Sequence, residues 1–129
     1  MERDEAMETT TRTDLGAIHI SDRAISVMAA QKASAVAHVK GLEGSLADAA
    51  ARKLGHENRG QGVEVKIDGN AVELTIHLIV ESGCRIPDVA LQVQKTVKDG
   101  VETLTGCVVT AVHIIVAALS FPDEGQVTE

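Results

Sequence analysis

Aromatic side chains are almost missing from this 129-residue chain, which has no Trp, no Tyr and a single Phe, Phe121. A core must therefore be built from Val, Ile, Leu and Ala. Nucleic-acid stacking platforms, which need aromatic faces, are excluded. Basic residues are also scarce, 12 Lys and Arg against 19 Asp and Glu, for a net charge of −7. Residues 1–15 and 122–129 together carry −6 of it, so the middle is close to neutral at −1. No cluster of Lys and Arg offers itself to phosphate, and no nucleic-acid partner is expected. Long hydrophobic runs are absent too. The most apolar stretch, Val108 to Leu119, is interrupted by His113 and is too short to span a bilayer. The acidic N-terminus lacks an apolar signal region, so a cytoplasmic chain without direct membrane insertion is expected. The two cysteines, Cys84 and Cys107, bracket a predicted helix whose ends lie about 25–30 Å apart. A disulfide needs Cα atoms within about 7 Å, so both thiols are expected to be reduced and structural.

What remains is organised around residues 81–119. Ile86, Val89, Ala90, Val93, Val97, Val101 and Leu104 mark one face of a helix of period 3.6. Pro87 and Asp88 suit its first turn and Gly106 its left-handed stop. Burying those seven residues contributes on the order of 10 kcal/mol gross, before chain entropy is subtracted. Val108 to Leu119 lacks helical spacing and reads as a buried strand. Earlier in the chain, Ile18 and Ile20 flank His19 in a short strand. Ser21 is a good N-cap for a helix running to about His38, with Ile25, Met28, Ala29, Ala33 and Val36 inward. Val63, Val65 and Ile67 alternate with charges, Asp68-Gly69-Asn70 signals a tight turn, and Val72 to Val80 returns as an antiparallel strand. The strand after the central helix should run parallel to it through a right-handed crossover. The expected fold is therefore a single small two-layer α/β domain over residues 16–121, of order β-α-β-β-α-β. It has a mixed sheet with both helices mainly on one face. Residues 1–15 and 122–129 are expected to be disordered acidic tails. Residues 39–61 are expected to connect flexibly around a short Ser45–Leu54 helix. Their glycines lead into a strand rather than a helix, which argues against a phosphate loop.

The order Gly83, Ile86-x-x-Val89-Ala90-x-x-Val93-Gln94-x-x-Val97, Leu104-Thr105-Gly106 and Val112-x-Ile114-x-Val116 resembles the alkaline-shock family of bacteria, also called the envelope stress response family. Gly16-Ala17-Ile18-His19-Ile20-Ser21 and Gly62-Val63-Glu64-Val65 fit the same pattern, and together these segments cover roughly residues 16–119. The resemblance implies an α/β domain and a non-enzymatic role in envelope stress tolerance. It also implies an abundant cytoplasmic protein, held in some members at the membrane by an anchoring protein.

The residues themselves point to no catalytic constellation and no cofactor. No serine sits in a nucleophile elbow, and Cys84, though beside Arg85 near a helix start, has no histidine at useful spacing. Two surfaces stand out. His19, His77 and His113 lie on predicted strands at the parity opposite the main apolar set. If they converge they would form a metal- or small-ligand-binding site, with Glu73 or Glu81 as supporting carboxylates. On the same parity, Ile79, Val109, Ala111, His113, Ile115 and Ala117 form an expected interaction face. Apolar residues on both faces of a strand call for a second cover, either the Ser45–Leu54 segment, a further subunit or a protein partner.

Overall fold

The computed structural model describes residues 8–44 and 62–121. Among the described residues, two helices and six strands occur in the order β1 (Glu8–Thr13), β2 (Gly16–Ser21), α1 (Asp22–Ser34), β3 (Val39–Leu42), β4 (Val63–Asp68), β5 (Ala71–Glu81), α2 (Ile86–Thr105) and β6 (Val108–Ser120). The β-α-β-β-α-β frame is present as β2, α1, β4, β5, α2 and β6, with β1 and β3 added to it.

β5 is the axis of the larger sheet. Its 11 residues alternate strictly between half-buried and buried, so Val72, Leu74, Ile76, Leu78 and Val80 all face the helices. Along one side it pairs antiparallel first with β4, from Ala71 to Ile76, and then with β3, from Leu78 to Val80. Along the other side it pairs with β6 in parallel, as a strand–helix–strand crossover requires. β3 and β4 meet at His77, whose carbonyl accepts from the Glu43 N–H and whose N–H donates to the Gly62 carbonyl. Gly62 is at φ +89, and a Cβ there would collide with the carbonyl oxygen of Glu43, so the junction demands glycine.

Both helices lie on the same side. α2 buries Val89, Val93, Val97 and Val101 and ends at Gly106, whose left-handed φ of 78° lets its N–H reach the Glu102 carbonyl at 2.8 Å. The Ser21 hydroxyl caps α1 by accepting from the Ala24 N–H at 3.1 Å. This helix lays Ile25, Ser26, Ala29, Ala30 and Ala33 inward. Small residues allow close approach, and no bulky aromatic is needed to fill the layer.

Several expectations change. α1 stops at Ser34 rather than His38, because Ala35 to His38 turn into β3 and His38 takes a left-handed φ of 76°. Residues 8–15 belong to no disordered tail. β1 pairs with β2 from Glu8–Ser21 to Thr13–Gly16, and buried Thr9 receives the Cys107 thiol at 3.5 Å. β-branched threonines favour this ribbon without giving the apolar alternation by which a strand is recognised. Val39–Leu42, expected as connection, is a strand because it continues the edge begun by β4. The expected Ser45–Leu54 helix and the outer parts of both acidic tails lie outside the described residues. Finally, β6 is buried only at Val109 and Val112, and Ile115 and Leu119 are 45% and 44% exposed.

Candidate interaction face and the family of the chain

The sheet surface opposite the helices carries the residues singled out above. β5 supplies Glu73, Thr75, His77, Ile79 and Glu81 to it, all half-buried. Register with β5 brings Ala111, His113, Ile115 and Ala118 of β6 alongside and Glu64 and Lys66 of β4 on the other flank. Ile79, Ala118 and Ile115 make an apolar strip, separated from Ala111 by His113, and among the described residues no helix covers it.

Two members of the expected face fall elsewhere. Val109 pairs with Val72 and is 2% exposed in the core under the helices. Ala117 falls at a register shift, so Ala118 rather than Ala117 sits beside Ile79. Both displacements have one cause. β6 carries an extra residue between Val109 and Ala111 and another between Val116 and Ala118, and each bulge reverses the parity of the residues after it. Counting by twos is valid only from Ala111 to Val116.

The histidines do not converge. His19 stands on the β1–β2 ribbon, with its Nδ1 3.0 Å from Glu8 Oε2 and 3.0 Å from Thr10 Oγ1. His77 and His113 share the open face, but each is taken by its own carboxylate, His77 by Glu64 at 3.2 Å and His113 by Glu73 at 2.6 Å. His38 pairs with Glu81 at 2.8 Å, and this hydrogen bond, more than the nearby Lys40 charge, holds the Glu81 carboxyl below its ordinary value. These cross-strand pairs are open to solvent and are worth little individually. They give the face a rim of carboxylate–imidazole pairs beside an apolar strip. Among the described residues no group of three or more potential metal ligands is present.

Thiol chemistry finds no support in the geometry. The Cys84 Sγ donates to the Glu81 backbone carbonyl at 3.0 Å, a group that cannot act as a base. Cys107 is buried against Thr9, and both cysteines are free. The hydroxyls of Ser21 and Ser26 are engaged with backbone, at Ala24 and Arg23.

A family model described as the alkaline-shock protein 23 family, with cell envelope-related function, matches residues 10–121. The chain belongs to this family. Among its relatives in Bacillus subtilis, YqhY is 27% identical over 114 residues, spanning 88% of this chain and 84% of its own length. YloU is 31% identical over 112 residues, spanning 85% of this chain and 93% of its own length. Both carry the name of uncharacterized proteins. Among solved structures, the C-terminal domain of MamM is similar in a manganese form and a zinc form, at TM-scores of 0.45 and 0.47 and identities of 13% and 12%. Those matches cover 74% and 80% of this chain and 92% and 88% of the MamM domains. The alkaline-shock match begins at Thr10, within β1, so most of the threonine ribbon lies inside the matched region. No described helix of this alkaline-shock protein is long and apolar enough to cross a membrane.

Proposed function

We propose that this alkaline-shock protein is a non-enzymatic scaffold of cell-envelope homeostasis. It works in the cytoplasm and docks through the open face of its larger sheet on a membrane-anchored protein. The observation that carries this reading is the apolar strip of Ile79, Ile115 and Ala118. It lies on the sheet surface that the two helices leave free, and it is bordered by the Glu64–His77 and Glu73–His113 pairs. Apolar patches rimmed by polar groups mark protein contacts, and a charged rim confers specificity more than affinity. The envelope-related description of the family supports the setting.

Affinity recovery from fractionated native cells tests it. The unmodified chain is expected in the membrane fraction, released by washes that strip peripheral proteins, together with one membrane protein. Ile79→Lys is expected to lose that protein while keeping the circular dichroism of the parent. A soluble chain recovered alone, or unchanged recovery with Ile79→Lys, would defeat the reading.

A further inference from the structure

β6 has a second unusual surface, its backbone edge. Side-chain face and backbone edge alternate together along a strand. Residues of β6 whose side chains face the helices therefore turn their N–H and C=O away from β5. In the first half of the strand these groups are covered by α2. The Glu102 carboxylate accepts from the Val109 N–H at 2.8 Å. Lys98 Nζ donates to the Val109 carbonyl at 3.0 Å, and Gln94 Nε2 donates to the Val112 carbonyl at 2.9 Å. In the second half, Ile114, Val116 and, past the bulge at Ala117, Leu119 turn the same groups outward. β6 pairs only with β5, so among the described residues no strand meets them. Proteins guard such edges with charges, proline or cover. Among the described residues this half has none, and the whole of β6 lacks Asp, Glu, Lys, Arg and Pro.

We propose that Ile114–Leu119 pairs antiparallel with the same stretch of a second copy of this chain, joining two larger sheets across a two-fold axis. Three observations select a second copy as the occupant. The covered first half forbids parallel, in-register stacking, because covered would lie on covered. Antiparallel pairing lets the two free halves overlap alone, and it closes as a dimer. The chain carries −7, yet the stretch that would meet its own copy is uncharged, whereas the β4 edge presents Glu64, Lys66 and Asp68. Last, reversal of one copy over this stretch sets Ile115 against Ala118 and Val116 against Ala117, larger against smaller, with Ile114 meeting Leu119 on the helix side. The edge is distinct from the open face. The dimer deepens the scaffold reading by giving its subunit number, and it fails or stands separately from docking.

Sedimentation equilibrium of the full purified chain tests it, with an expected mass of twice 13.6 kDa. Val116→Pro removes an outward N–H and spares the ladder to β5, the setting in which edge strands accept proline. Ala117→Lys places like charges near the two-fold axis. Both variants are expected to be folded monomers, and Ile79→Lys to remain a dimer. A monomeric parent chain would overturn the proposal, and so would a folded Ala117→Lys that still dimerises. A dimer broken by Ile79→Lys but not by Ala117→Lys would assign the contact to the face and also overturn it. Should Val116→Pro fail to fold, Ala117→Lys decides alone.

Discussion

Two glutamates act as fasteners between elements. Glu102 accepts from Lys98 Nζ at 2.9 Å and from the Val109 N–H at 2.8 Å, tying the end of α2 to the start of β6. The Lys98 hydrogen bond, then that from Val109, lowers its pKa below the ordinary 4.5. Glu81 is lowered likewise, first by His38, and its N–H also donates to the His38 carbonyl at 2.8 Å. A carboxyl whose folded pKa is depressed binds fewer protons than in the unfolded chain. Its contribution is therefore complete above 4.5 and is lost as pH falls through the lowered value. The double variant Glu81→Gln, Glu102→Gln is expected to be less stable at neutral pH. Below 4.5 it should lose less stability than the parent, as read from urea midpoints across a pH series. Neither role was visible in the sequence. Glu102 shows only a four-residue spacing from Lys98, and the His38–Glu81 pair joins residues 43 apart.

Among the elements, α2 was the most legible, because a 3.6-residue apolar rhythm over twenty positions has few alternative explanations. Even so, its apolar face is not uniform in depth. Val97 is fully buried, whereas Leu104, in the same row, is 57% exposed because the helix ends one residue later. Val97→Ala is expected to cost about 2 kcal/mol through lost burial and a residual cavity. Leu104→Ser should stay within roughly 0.5 kcal/mol of the parent, as exposed substitutions do. Chemical denaturation of both variants checks the contrast. β1 was illegible for the opposite reason. Its threonines carry strand preference without rhythm, and its order comes from pairing with β2 and from the contact of Thr9 with Cys107. β6 was legible as a strand but not in its facing, since a bulge leaves no mark in a run made mostly of Val, Ile and Ala. Ile79, Ala111, His113 and Ile115 lie on one sheet surface as expected, whereas Val109 and Ala117 fall where that run slips, and the histidines do not meet because His19 belongs to a different sheet.

For the whole molecule, the layering of two helices on a mixed sheet could be read from the order of elements, while the strand order could not. That order has a consequence for how the molecule comes apart. Among the described residues β3, β4 and β6 each pair along β5 and form no ladder with one another, so the larger sheet is a star with a single hub. No pair of peripheral strands can persist once the hub strand leaves. All of its ladder contacts with β3 and β6 close loops of more than thirty residues. Partial opening therefore means shedding a spoke, whereas opening of β5 is global unfolding, and the sheet should behave as one cooperative unit. Native-state hydrogen exchange is expected to find the slowest amides along Leu74–Leu78, exchanging only through the global transition. Amides of the β1–β2 ribbon should exchange through smaller, local openings. Late closure of those long loops would also make folding slow for a chain of this size. During that interval the uncharged β6 stands without its hub.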